Sequence, residues 1–214
     1  MFHTGRFHVC CQLAGVPAFV SWSLAPGRTA LRRYDLQVQR DGGTFTALAL
    51  PSPRATLHAG TLLIGHTYTY RVRAVDSAGR VGPWRSVGPR QALNVADASP
   101  SITWSGAWSR IALKAYLGGS AHSTRAAGAT ATLQFHGTSV AWVGPTGPTR
   151  GKAQVYLDGL LVATVDLGGS AFHPRQVVFA ASVPDGAHTL VITSLGTAGR
   201  STVNVDSIYV IQPR

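Results

Sequence analysis

Five side chains between positions 108 and 156 are of the types that hold a saccharide. Trp108, Trp142 and Tyr156 offer flat apolar faces, and Arg150 and Lys152 offer cationic donors. A sugar ring carries C–H patches beside a rim of hydroxyls, so an aromatic platform with a guanidinium at its edge matches both parts of that surface. The five meet only if Gly144 to Gly151 is a loop folded over a sheet. On that condition they are the candidate ligand-binding residues. The alternative makes Trp104 and Trp142 core and Arg150 a solvated charge.

Catalytic chemistry finds no comparable set. Glutamate is absent and the eight aspartates are scattered, most at turn positions, so a paired-carboxylate glycosidase would need two of them within roughly 5–10 Å. No G-x-S-x-G elbow, H-E-x-x-H pair, P-loop or dinucleotide fingerprint occurs. The eight histidines lack the close spacing of a zinc site. Cys10 and Cys11 are adjacent and would point to opposite faces of a strand, which strains a bond between them. The chain is read as a non-enzyme, with no catalytic residue, cofactor or disulfide framework expected.

The formal charge is +11, from 17 Arg and 2 Lys against 8 Asp, and it is lopsided, with eleven Arg and three Asp in the first 95 residues. Such a surface attracts polyanions without choosing among them. Arg32-Arg33 is the only run of basic residues, so no specific nucleic acid is expected as partner. Arg71 and Arg73 alternate with Tyr70 and Val72, and with Arg40 and Arg85 they could form a basic stripe on one sheet face. No stretch approaches the roughly 20 apolar residues that span a bilayer. The apolar part of Met1 to Val20 is broken by Gln12, Gly15 and Pro17, and the start is read as that of a fragment of a longer protein rather than a cleaved signal.

Strands must position these side chains. Strong helix formers are scarce, whereas Gly (24), Pro (12), Thr, Ser, Val and aromatics abound, so the chain reads as all-β. Alternation marks strands at Val20–Leu24, Tyr34–Arg40, Phe45–Leu50, Ala55–Leu57, Tyr68–Val75 and Trp84–Val87, with turns at Ala25-Pro26-Gly27, Asp41-Gly42-Gly43 and Asp76–Gly79. The stretch Leu62-Leu63-Ile64-Gly65-His66-Thr67-Tyr68-Thr69-Tyr70-Arg71-Val72-Arg73-Ala74 resembles the E–F corner and F strand of a fibronectin type III domain. Trp22 stands at that family's core tryptophan. The resemblance covers residues 15–92 and implies that Tyr68 fills the core end and bonds its hydroxyl to backbone at the corner. Strand A would come from Phe7 to Leu13.

A small, polar segment with Pro100 marks a linker at 96–101, between a fibronectin type III-like domain at 1–95 and a second domain at 102–214. Strand segments follow at 102–104, 130–136, 139–143, 153–157, 160–166, 175–182, 188–195 and 203–211, the pattern of a jelly-roll sandwich. Asp158-Gly159 marks a two-residue hairpin turn, and Asp206 is expected to bond backbone amides rather than a ligand. Trp104-Ser105-Gly106-Ala107-Trp108, the run from Ala131 to Pro145, Gly151 to Gly159, Pro184 to Leu190 and Val203 to Val210 resemble galactose-binding-like β-sandwich modules. Such modules accompany fibronectin type III domains in bacterial exported proteins.

The resemblance implies a non-catalytic carbohydrate-binding or attachment module, secreted or at the cell surface, whose partner is a polysaccharide or wall glycan. It also allows a structural Ca²⁺ held by backbone carbonyls. A spacer or protein-interaction segment without a small ligand is the alternative, with a basic nucleic-acid-binding module behind it.

Overall fold

The computed structural model describes residues 15–23 and 30–214. The strand expected over Phe7 to Leu13, with Cys10 and Cys11, and the turn at Ala25-Pro26-Gly27 lie outside the described residues. The first half contains β1 (Gly15–Ser21), β2 (Leu31–Arg40), β3 (Thr46–Leu48), β4 (Leu57–Leu63), β5 (Thr67–Asp76) and β6 (Arg85–Ala96). The second contains β7 (Ile102–Ser105), β8 (Trp108–Ala112), β9 (Ser120–Thr124), β10 (Thr130–Thr146), β11 (Lys152–Leu157), β12 (Leu160–Asp166), β13 (His173–Ser194), β14 (Val203–Val205) and β15 (Ser207–Pro213). No α-helix occurs among the described residues, as the shortage of helix formers requires.

In the first half β1 pairs β4, and β3, β2, β5 and β6 form a second sheet in that order. The corner tyrosine is in place: the Leu63 amide donates to the Tyr68 hydroxyl at 3.0 Å while the ring is buried. The first strand runs over Gly15–Ser21 rather than from Val20, because its pairing with β4 extends from Gly15↔Leu63 to Ser21↔Leu57 and takes in Pro17. The same ladder starts β4 at Leu57, where the sequence ends a short strand. The expected basic stripe is not a free cationic face. Arg71 stacks on Phe45 and Trp84 at 3.8 and 4.5 Å, and Arg73 lies 4.4 Å from Trp84. Gln37 and Asp35 accept from their Nε atoms.

The second half adds a sheet of β12, β11, β13, β10 and β15, with β7 also on β10, and a facing three-stranded sheet of β14, β9 and β8. Segments read as separate strands at 130–136 and 139–143 are one strand, β10, and those at 175–182 and 188–195 are one strand, β13. Both bend where the register shifts between Gly137 and Ser139. Gly137 is required there, since a Cβ would sit 2.2 Å from the Ile211 carbonyl oxygen. The hairpin of β11 and β12 turns at Asp158 and Gly159, both at positive φ (52° and 79°), and the Thr189 amide donates to Asp158.

The two sandwiches expected as consecutive units share a sheet. β15 pairs β6 from Ser207↔Ala96 to Pro213↔Arg90, so one ladder runs from β12 to β3. They also share a core. Beyond the bend, Val140, Trp142, Ile208 and Val210 turn to the main core of the second half. Their neighbours Ala141, Val143, Val177, Tyr209 and Ile211 turn to the opposite core, with Val16, Ala18, Leu36, Leu62 and Tyr68 of the first half. Burial on both faces explains why Ser139 to Pro145 reads as a continuous apolar run rather than an alternating one. The segment 96–101 is therefore pinned: the Asp97 amide donates to the Asp206 carbonyl at 3.2 Å, and Asp97 is 2% exposed.

A shared sheet and core make unfolding one event. Scanning calorimetry of the full chain is expected to show a single transition with matching calorimetric and van't Hoff enthalpies; two resolved transitions would contradict the coupling.

Candidate functional site

β8, β9 and β14 are short, and their two faces have different fates. Ser109 pairs Ser123, and Ser123 pairs Asn204, so these three side chains form one row on one face. The other face delivers Trp108, Val203 and Val205 to the core. Over the first face lies an open groove of about 710 Å³, with Ser109, Ile111 and Ser123 along its strands and Arg125, Arg150 and Thr202 around them. Among the described residues the Ser109 and Ser123 hydroxyls have no hydrogen-bonding partner, whereas Thr124 Oγ1 donates to the Ala107 carbonyl at 2.7 Å.

Arg150 reaches the groove from the loop after β10. That loop is held by a parallel bridge between Arg150 and Thr202, by the Thr202 amide on the Thr149 carbonyl at 3.1 Å, and by Arg200 on the Arg150 carbonyl at 2.9 Å. The Arg150 guanidinium donates from Nη1 to Thr149 Oγ1 at 3.0 Å and lies 5.4 Å from the Phe172 ring. Burial pushes the Tyr116 hydroxyl's pKa up, and the nearby Arg150 charge opposes the shift. Arg150 Nε and both amide atoms of Asn204 are buried without a hydrogen-bonding partner. Each such group costs about 1–3 kcal/mol when left unpaired, so their concentration behind one groove calls for explanation.

The five expected ligand-binding residues are not assembled into one platform. Trp142 is corrected from ligand contact to core: it is 0% exposed, and its Nε1 donates to the Asn204 carbonyl at 3.1 Å. Gly144 permits that approach, since a Cβ there would meet the same carbonyl oxygen at 2.8 Å. Trp108 is half-buried and packs on Trp104 at 4.9 Å, while Trp104 stacks on His122 at 4.0 Å. Lys152 and Tyr156 alternate outward along β11, where Lys152 lies 3.8 Å from Asp166 and the Tyr156 hydroxyl donates to Gln154 at 2.9 Å. Only Arg150 of the five lines the groove. The aromatic ring beside it is Phe172, 39% exposed, which sequence reasoning passed over because it stands in a Gly- and Ser-rich loop. Ser109 and Ser123 were missed because β8 and β9 lack an apolar alternation.

All eight aspartates hold structure. Asp35 is bonded by Arg33 and Arg73, Asp41 by His66 and Thr67, Asp76 by Arg80, and Asp158 by His188 and Thr189. Arg200 holds Asp166 and draws its pKa down to about 2, Arg90 holds Asp185, and Asp97 takes bonds from Arg110 and Ser120. Asp206 accepts the Leu117 amide at 2.9 and 3.1 Å, as expected of a backbone-bonding carboxylate. Burial, with Asp97 nearby, pushes its pKa up to about 7. None of the eight lines the groove. Among the described residues no three His, Cys or Asp side chains converge as a metal-ligand set.

No protein-family model matches the chain. The "A type blood N-acetyl-alpha-D-galactosamine deacetylase" of Flavonifractor plautii is 32% identical over 98 residues, 46% of this chain and 13% of that enzyme. The "A type blood alpha-D-galactosamine galactosaminidase" of the same organism is 31% identical over 99 residues, 46% of this chain and 9% of that enzyme. The match thus spans a small fraction of either relative. Among solved structures, the CBM36-1 domain of a multidomain xylanase from the hindgut metagenome of Trinervitermes trinervoides overlays with a TM-score of 0.43 at 14% identity, over 58% of this chain and 98% of that one. A family 35 carbohydrate binding module from an environmental isolate gives 0.44 at 14% identity, over 57% and 97%.

Two predictions follow from the buried groups. The folded-state pKa of Asp206 lies above its ordinary 3.8, so the folded chain binds more protons than the unfolded one between those values, and this carboxyl's contribution to stability falls as pH rises from about 4 to 7. In thermal melts Asp206→Asn is expected to gain on the parent between pH 5 and 8, by up to about 4 kcal/mol; a pH-independent difference would contradict the burial argument. Trp142→Ala removes a fully enclosed indole and is expected to cost about 3–5 kcal/mol in urea unfolding, whereas a cost below 1 kcal/mol would place the ring outside the core.

Proposed function

We propose that the chain is a non-catalytic carbohydrate-binding part of a larger exported bacterial protein. In this reading residues 102–214 form a galactose-binding-like jelly roll that carries the ligand groove, and residues 1–95 form a fibronectin type III-like buttress joined to it through 96–101. The observation that carries it is the groove beside β8 and β9, where two unpartnered hydroxyls face two guanidiniums and no carboxylate. Serine hydroxyls and guanidiniums are hydrogen-bonding partners for sugar hydroxyls, and a site without an acid–base pair binds rather than cleaves.

The relatives support the same reading. One is named for deacetylation and the other as a galactosaminidase, two different reactions on amino sugars, yet each resembles this chain over only about a tenth of its length. Matches confined to so small a part of enzymes with different chemistry fit an accessory role better than a catalytic one. The Tyr68 corner and the order of β3, β2, β5 and β6 support the fibronectin type III-like reading of the first half. An exported or surface location fits a glycan partner, and the structure contains no helix long and apolar enough to cross a membrane among its described residues.

A glycan array followed by polysaccharide pull-downs tests the proposal. The parent chain is expected to bind at least one glycan, and Ser123→Tyr, which fills the groove from β9, is expected to weaken that binding by roughly tenfold or more. Tyr156→Ala, on the other sheet, is expected to leave it unchanged. A blank array, or loss with Tyr156→Ala but not with Ser123→Tyr, would overturn the assignment.

A further inference from the structure

We infer that the saccharide taken by this groove is anionic, with a carboxylate or sulfate substituent seated between Arg125 and Arg150; the inference rests on the glycan reading of the same groove. Neutral-sugar recognition uses an exposed aromatic face to cover the C–H patches of the ring. This groove is lined by no aromatic ring. What it presents instead is two cations without counter-charge: Arg125 is exposed, Arg150 is half-buried, and neither forms an ion pair among the described residues.

That sets them apart from Arg33, Arg73, Arg80, Arg90, Arg110 and Arg200, each of which is matched to an aspartate. Arg150 is also held in position. Its Nη1 donates to Thr149, its Cζ lies 5.4 Å from the Phe172 ring centre, its loop is tied to Thr202, and its Nε is buried. The positive charge fixed there favours an oxyanion over a neutral hydroxyl. The Ser109 and Ser123 hydroxyls then remain for the ring hydroxyls of the same sugar.

Because the whole chain carries a charge of +11, the test must separate the groove from general attraction. Binding is measured by titration calorimetry in about 0.15 M salt, where charges more than about 8 Å apart are screened. The probes are polygalacturonate, dextran sulfate, and neutral galactan and dextran. At least one anionic polymer is expected to bind roughly tenfold or more tighter than either neutral one. Arg125→Gln and Arg150→Gln are each expected to remove most of that margin, and the exposed Arg125 gives a variant that leaves the interior untouched. The double variant R32Q/R54Q, which removes more charge at exposed sites elsewhere, is expected to keep the margin.

Preference for polygalacturonate identifies a carboxylate and preference for dextran sulfate a sulfate. Equal loss in R32Q/R54Q would make the attraction non-specific and overturn the inference. Tight binding of galactan or dextran that survives R125Q and R150Q but fails with Ser123→Tyr would overturn it while sustaining the glycan reading. Failure of all four polymers would overturn the inference directly, and a blank array would take the glycan reading with it.

Discussion

Two-sided burial of the sheet formed by the outer ends of β10 and β13 with β15 is the constraint on which the rest of the structure depends. Along these strands successive residues alternate between two cores: Val140 and Trp142 face one, Ala141 and Val143 the other. Neither face can be given to water without exposing several fully buried side chains, each worth about 1.5–3 kcal/mol in transfer free energy. The first half covers one face and the second half closes over the other. β6 continues the sheet at the edge of β15, so each half completes the other's core.

This frame fixes the groove at a distance. β14 runs directly into β15, and the strand carrying Asn204 is locked by the Trp142 indole, by the close approach of Gly144 and by the buried Asp206 that follows it. β9 pairs β14 and β8 pairs β9, so the row Ser109, Ser123 and Asn204 inherits its place from the core strands. The Arg150 loop is tied to the same chain through Thr202. Short, polar strands that could not bury enough surface alone are thereby held in register, and the groove can carry unpaired polar groups because the frame supplies the stability.

Much of the fold was legible in the sequence. Strand alternation placed β2, β5, β11 and β12 closely, Asp158-Gly159 gave the hairpin turn, and the function of the Tyr68 hydroxyl was read correctly. Asp206 was also read as a structural carboxylate. The joining of the halves was not legible, because edge pairing between β6 and β15 leaves no local signature, and strands buried on both faces resemble any apolar run. The candidate site was less legible still. Aromatic residues draw attention as platforms, but Trp142 was needed by the core and Trp108 by its contact with Trp104. Ser109, Ser123 and Phe172 carry no pattern of their own, and only the pairing of β8, β9 and β14 brings two of them to one face. Arg150 was found because charge and loop position both pointed to it.

The electrostatics follow a division of labour among the charged groups. All eight carboxylates bond structure, and most arginines near them are neutralised or stacked, while Arg125 and Arg150 beside the groove have no carboxylate partner among the described residues. On the proposed reading, ligand recognition falls to hydroxyls and guanidiniums on β8, β9 and the Arg150 loop, and not to the sheet face that carries Lys152, Gln154 and Tyr156. Amide chemical-shift mapping during titration with a bound glycan separates these surfaces directly. The account predicts perturbations concentrated at Ser109, Ser123, Arg125, Arg150 and Thr202, and perturbations confined to β11 and β12 would contradict it.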